Sequence, residues 1–276
     1  MYQFFTDPGN ICGKDIYIEG RDYNHIRNVL RLRIGEEVSV IASDKDGGPE
    51  GTVPTKCAES AGDSTKDITN SGTREYRCEI ADYEDDRVHL KLRFIKEDNV
   101  ELPNRIYLFQ GLPKSDKMEL IIQKAVELGA YEIIPVQMAR SVVKYDKKKE
   151  ATKITRFNGI SEAAAKQSKR RIIPEVKPVM SFKEAVEYSR NMDLKLLPYE
   201  LADMDSMDKT RKLFEGIKPG QDIAVFIGPE GGFDEPEVLL AVDNGFKAIT
   251  LGRRILRTET AGMTVLSWLV YMCEQS

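Results

Sequence analysis

Glu37-Val38-Ser39-Val40-Ile41 alternates polar with apolar side chains, and so do Tyr76-Arg77-Cys78-Glu79-Ile80 and Val88-His89-Leu90-Lys91-Leu92-Arg93-Phe94. A period of two puts every second side chain on the same face, so these segments predict strands with one buried face. Tyr23–Leu32 interrupts them as a predicted helix, with Ile26, Val29 and Leu30 on one side, Arg27 and Arg31 on another, Asp22 as N-cap and Gly35 soon after its end. Residues 43–73 are rich in Gly, Ser, Thr, Asp and Lys and poor in apolar residues, which predicts an exposed hairpin loop.

From about residue 99 the pattern changes to alternating strands and helices. Ile106–Gln110, Glu132–Val136, Leu194–Leu197, Ile223–Ile227 and Ala248–Leu251 read as strands. The implied architecture is a mainly parallel sheet with helices on both faces. The first helix, Asp116–Leu128, repeats apolar residues at Leu120, Ile121, Ala125 and Leu128. Asp116 and Glu119 have capping-box spacing, and Gly129 ends the helix. A later helix starts at Asp234, with Pro236 in its first turn, Glu237 three residues after the cap and Gly245 after its end. Two domains are expected, residues 1–98 and 99–276.

Composition narrows the function classes. With 41% hydrophobic and 31% charged residues, the 276-residue chain can bury a core and stay folded. The net charge of −4 means that any nucleic-acid surface must be local. Arg140–Lys177 supplies such a region, with twelve Lys/Arg against four Asp/Glu, a local excess of eight. The four cysteines form no CxxC pair and lie apart from His25 and His89, so no zinc site is expected and the thiols are expected to be reduced. No apolar stretch is long enough to span a bilayer, and the first residues do not resemble a secretory leader.

Candidate chemistry concentrates in two strand-to-helix loops. Ile227-Gly228-Pro229-Glu230-Gly231-Gly232-Phe233 follows an apolar strand, at the end of a parallel strand where ligands commonly bind. Taken alone it fits a tight turn as well as a binding loop. It matches neither GxGxxG nor a P-loop. Leu251-Gly252-Arg253-Arg254-Ile255-Leu256-Arg257-Thr258-Glu259-Thr260-Ala261 is the second. Its apolar pair, Ile255 and Leu256, should pack against either the core or a flat ligand.

In this order the two loops resemble the SPOUT class of RNA methyltransferases, and within it the RsmE family, which methylates N3 of a uridine in 16S ribosomal RNA. Lys114-Ser115-Asp116-Lys117-Met118, Gln123–Gly129, Arg140-Ser141-Val142-Val143, Ser161–Ser168, Pro174-Glu175-Val176 and His25–Leu32 agree with it. The resemblance implies a C-terminal knotted SPOUT domain and a PUA-like β-barrel at the N-terminus. It also implies S-adenosylmethionine as cofactor, no metal, a homodimer, a cytoplasmic location and 16S ribosomal RNA, within the small subunit, as partner. Residues 43–73 are longer and more polar than the family's usual hairpin.

The implied cofactor residues are Gly228, Pro229, Glu230 and Gly231 in the first loop and Leu251, Gly252, Ile255, Leu256, Thr258 and Ala261 in or after the second. Leu197, at the end of an earlier strand, is expected to line the same pocket. Uracil N3 must lose its proton to attack, so a cation and a base are needed. Arg257 is the candidate cation and Glu259 the weaker candidate for the base, since it also fits a helix cap or a pair with an arginine. Lys114, Arg140, Lys166, Lys169, Arg170 and Arg171 are candidate phosphate contacts. Arg27, Arg31 and Arg33 fit either RNA contact or a solvated face. His25 reads as structural. Two other functions share parts of this signature: a SPOUT ribose 2′-O-methyltransferase, and a noncatalytic RNA-binding assembly factor.

Overall fold

A computed structural model describes residues 1–42, 73–96, 100–199 and 206–274. The expected loop at 43–73 lies almost wholly outside the described residues. The chain forms two compact units, Met1–Val100 with Lys169–Ile172, and Glu101–Ser168 with Ile173–Ser276. A short piece of the second half of the sequence therefore belongs to the first unit.

In the first unit the expected alternating segments are β4 (Glu37–Ala42), β5 (Arg74–Tyr83) and β6 (Arg87–Lys96). They join β1 (Gln3–Thr6), β2 (Ile11–Cys12) and β3 (Asp15–Glu19) in one sheet of order β1-β4-β5-β6-β3-β2, with β1 parallel to β4 and the other pairs antiparallel. Phe4, Ile16, Ile18, Val38, Val40, Cys78, Ile80, Val88 and Leu90 come from five of these strands, yet they share one cluster with Ile26. The sheet must curl to achieve that, and two register shifts between β5 and β6 help it bend. β1 and β3 were not among the segments expected to be strands.

The expected helix at 23–32 is instead α1 (Gly20–Asn24) followed by a π turn over His25–Leu30. The wider turn carries Val29 off the face of Ile26, so Ile26 is buried and Val29 is 64% exposed. Arg31, at φ 53°, ends the turn in place of the expected glycine.

β4 also departs from its expected alternation, because Ser39 and Ile41 are buried as well as Val38 and Val40. The second face is covered by a polar layer. Glu75 accepts from Ser39 Oγ at 2.8 Å and pairs with Arg77 at 2.9 Å. Arg171 lies 3.8 Å from Glu75 and donates to the Lys96 carbonyl at 3.0 Å, and Gln3 donates to the Arg170 carbonyl at 2.7 Å.

The second unit holds all five predicted strands, as β7 (Arg105–Gly111), β8 (Ala130–Gln137), β11 (Leu194–Pro198), β12 (Asp222–Ile227) and β13 (Lys247–Ile249). With the short β9 (Glu175–Val176) and β10 (Met180–Ser181) they form a parallel sheet of order β10-β8-β7-β12-β11-β13, β9 pairing with β8. The chain first builds outward from β7 on one side and then on the other. Such a reversal leaves a crevice at the carboxyl ends of the strands. Here it brings the ends of β12, β11 and β13 side by side.

The helices are α2 (Lys117–Glu127), α3 (Lys147–Ser168), α4 (Phe182–Tyr188), α5 (Ser206–Glu215), α6 (Glu235–Asp243) and α7 (Thr258–Cys273). α2 buries Met118, Ile121, Ile122, Ala125 and Val126, whose spacing is one helical stripe. Leu120, expected on that stripe, is exposed. The expected capping box of α2 does not form, since Asp116 makes no side-chain cap and Glu119 reaches Arg156 at 2.8 Å. That of α6 does form, with the Glu237 carboxylate accepting from the Asp234 N–H at 2.9 Å. Beneath the sheet's carboxyl edge, Phe226 stacks on Phe109 with centroids 4.2 Å apart and meets Phe246 edge-on at 4.7 Å.

Cys78 and Cys273 are free thiols, pushed by burial up to about 12 and about 11. Cys12 is disulfide-bonded, against the expectation of reduced thiols throughout. A lone pairing outside a framework has no spacing that sequence could display. Cys57 lies outside the described residues.

Candidate functional site

The first loop is held at both ends by packing. β12 delivers Gly228 from the buried apolar run Ile223–Ile227, and Phe233 is buried with its ring edge-on to Phe182 at 6.2 Å. Between these anchors the backbone folds back on itself. A Cβ on Gly228 would lie 3.1 Å from the backbone of Gly232. Gly111, ending the neighbouring β7, leaves no room either, because a Cβ there would sit 2.6 Å from Pro229. Only glycine allows these two strand ends to approach so closely.

The second loop runs from Thr250 to Arg257 and enters α7. Thr258, buried at the start of α7, donates its hydroxyl to the Gly228 carbonyl at 2.6 Å, so the two loops are directly joined. Between them lies a cavity of about 810 Å³.

Ten of the eleven expected cofactor residues line this cavity: Gly228, Pro229, Glu230 and Gly231 from one loop, and Leu251, Gly252, Ile255, Leu256, Thr258 and Ala261 from the other. Leu197 does not. β11 runs one residue further than expected, which leaves Leu197 inside the sheet, fully buried in the apolar core. Its successors Pro198 and Tyr199 line the cavity instead. Ile255 is 85% exposed and Leu256 half-buried. Packing of Ile255 into the core is thereby excluded, and its side chain stands at the cavity wall.

Among the described residues four cations line the cavity, and they divide into two kinds. Lys117 lies 3.1 Å from Glu230 and 3.3 Å from Glu259. Arg140 pairs with Asp234 at 3.0 Å and donates to the Gly231 carbonyl at 3.1 Å. Arg254 and Arg257 are exposed, with no ion-pair partner among the described residues. Donation to the Glu230 carboxylate, and then to that of Glu259, raises the Lys117 ammonium above its ordinary range. Burial works against ionisation of Glu230. Its own N–H, the Lys114 N–H at 3.1 Å and Lys117 nevertheless hold its carboxyl below the usual value.

Glu259 is thus engaged with a lysine and is absent from the cavity lining. Lys117, Pro198, Tyr199, Thr250 and Arg254 line the site without having been singled out from the sequence. Arg140 was expected on the RNA surface and stands at the cavity.

The candidate phosphate contacts separate. Arg170 and Arg171 are buried within the polar layer of the first unit, which corrects their assignment to an exposed basic run. Lys169 is exposed but donates to the Met1 carbonyl at 2.7 Å. Lys166 pairs with Glu162 at 2.7 Å, while Lys114 is exposed. Arg27 hydrogen-bonds Tyr23 and the Glu84 carbonyl and lies over the rings of Tyr23 and Tyr83, 5.6 and 5.7 Å from their centroids. Arg31 and Arg33 are exposed. Positive charge instead gathers on the first half of α3, where the exposed Lys148 and Lys149, together with Lys153 and Arg156, which face Glu119 at 4.0 and 2.8 Å, border a shallow groove of about 390 Å³. Among the described residues no group of three or more His, Cys, Asp or Glu is placed to hold a metal ion. No described helix is long and apolar enough to cross a membrane.

Comparison with known proteins adds to this geometry. A family described as an RNA methyltransferase domain matches residues 100–270, and an RNA methyltransferase PUA domain matches residues 18–48. Ribosomal RNA small subunit methyltransferase E of Bacillus subtilis is 34% identical over 93% of this chain and 90% of its own. The crystal structure of a ribosomal RNA small subunit methyltransferase E from Neisseria gonorrhoeae, bound to S-adenosyl methionine, superposes with a TM-score of 0.72 at 28% identity, covering 97% of this chain and 96% of that one. A structure described only as that of a hypothetical protein superposes at 0.82, with 32% identity and 99% of both chains covered. With the family's domain matching more than half of its length, and its expected loops meeting around one cavity, this chain belongs to the RNA methyltransferase family that includes ribosomal RNA small subunit methyltransferase E.

Proposed function

We propose that this protein transfers a methyl group from S-adenosylmethionine to N3 of a uridine in 16S ribosomal RNA, within the small subunit. The observation that carries this reading is the meeting of both loops around one cavity at the carboxyl edge of the sheet. The cavity suits the cofactor chemically. Ile255, Leu256 and Pro198 offer apolar surface for an adenine ring, and the glycine-rich backbone allows close approach of polar groups.

Bound there, the cofactor supplies an electrophilic methyl group on a sulfonium. The chain's own contribution is placement and charge. Thr258 fixes the separation of the two loops, and in-line transfer depends strongly on such positioning. Arg257 stands at the cavity without a competing carboxylate among the described residues, so its guanidinium is available to stabilise the uracil anion formed when N3 releases its proton to solvent water. Glu259 serves Lys117 rather than the N3 proton, since its carboxylate faces that ammonium and lies off the cavity wall.

The basic first half of α3 is the phosphate-contacting surface in this proposal. Homodimerisation, the trefoil knot and a cytoplasmic location belong to the same reading. Leu239 and Val242 on α6 and Tyr271 on α7 are exposed apolar surface of the kind a second copy would cover. Nucleoside mass spectrometry of 16S ribosomal RNA from cells with and without the gene tests the reaction. Loss of 3-methyluridine supports it, and loss of a ribose-methylated nucleoside instead refutes the base-methylation assignment.

A further inference from the structure

Gln110 is a fully buried amide in a strand whose other central residues are apolar. Its Nε2 donates to the Gly111 carbonyl at 3.0 Å and to Thr258 Oγ at 2.8 Å. A carbonyl can only accept, so the Gly111 contact fixes which end of the amide faces the site. The Thr258 oxygen, occupied as an acceptor, is left to donate, and it donates to the Gly228 carbonyl at 2.6 Å. The remaining amide oxygen, Oε1, has no hydrogen-bond partner among the described residues. An orphaned buried acceptor is unfavourable, and it persists here on a residue that links β7, the start of α7 and the first loop.

We propose that Gln110 is a positioning residue for the cofactor site, orienting the Thr258 hydroxyl so that it pins Gly228 and sets the width between the two loops. This rests on the cofactor reading above. Gln110 is not among the cavity-lining residues, so it acts through Thr258. Leucine at this position would match the shape, remove the orphaned oxygen and break the relay.

Calorimetric titration of S-adenosylmethionine into the full chain, alongside thermal melting, tests it. Gln110→Leu is expected to melt at or above the wild-type temperature and to bind the cofactor at least tenfold more weakly. Thr258→Val should show a similar loss, Thr258→Ser should recover most of it, and the double variant Gln110→Leu/Thr258→Val should bind no more weakly than the worse single variant. Wild-type affinity in a folded Gln110→Leu, or additive losses in the double variant, overturn the inference. Should Gln110→Leu fail to fold, full affinity in Thr258→Val overturns it equally. A wild-type protein that binds no S-adenosylmethionine overturns the cofactor reading and this inference together.

Discussion

Single side chains separate chemistry from architecture in this protein. Lys117 and Arg140 spend their charge on carboxylates around the cavity, whereas Arg257 does not among the described residues. Arg257→Ala should therefore lower kcat by about 10²–10³-fold, the usual loss for a group that stabilises transition-state charge, with little change in cofactor affinity. Steady-state kinetics with parallel calorimetry reads both; a tenfold weaker affinity at unchanged kcat would assign Arg257 to cofactor binding instead. Glu230 makes a pH-dependent contribution. Its carboxyl is held below its ordinary value of 4.5, so its stabilisation is complete above that value and is lost as pH falls through the lowered one. The melting difference between wild type and Glu230→Gln should accordingly be constant from pH 6 to 8 and shrink below 4.5, as seen by calorimetric scans. A difference that grows on acidification contradicts this sign.

At the scale of elements, basic character misleads where burial is unknown. Lys169-Arg170-Arg171 reads as an exposed run, yet the chain returns here to the first unit and uses Arg171 with Glu75 to close a polar layer. Breaking a buried pair costs about 3–5 kcal/mol, so Arg171→Ala should lower stability by that order. It should leave the salt dependence of RNA binding unchanged in whatever fraction remains folded. Neutralising the exposed Lys148 and Lys149 on α3 should do the reverse, flattening the salt dependence by about one counterion for each phosphate no longer neutralised while leaving the melting temperature near wild type. Filter-binding titrations across a salt series, paired with melts, distinguish the two sets. The glycine loop obeys a steric rule of its own. Gly228→Val places carbon against the Gly232 backbone and should abolish cofactor binding, with near-normal affinity in a titration as the contrary result.

For the whole molecule, what sequence made legible follows from the range of the interactions involved. Five of the parallel strands announce themselves because each is a short, largely apolar run, and the two loops are visible because each lies between such a run and a helix start. Ile255 was legible as an unplaced apolar residue, and the structure leaves it exposed at the cavity wall. Illegible features depend on partners distant in the chain. The role of Arg171 requires Glu75, that of Lys117 requires Glu230 and Glu259, and that of Gln110 requires Thr258. The π turn after α1 was hidden for another reason, since its apolar spacing is compatible with an α-helix until Arg31 turns left-handed. Tyr199 was missed by a boundary error of one residue in β11, which moved the cavity wall from Leu197 to its successors.

The most direct test is a crystal structure of the protein grown with S-adenosylmethionine. The account predicts one cofactor per chain, its adenine against Ile255 and Leu256 and its polar groups on the backbone of the Gly228 and Leu251 loops. Cofactor density anywhere else on the chain, with this cavity holding only solvent, would contradict it.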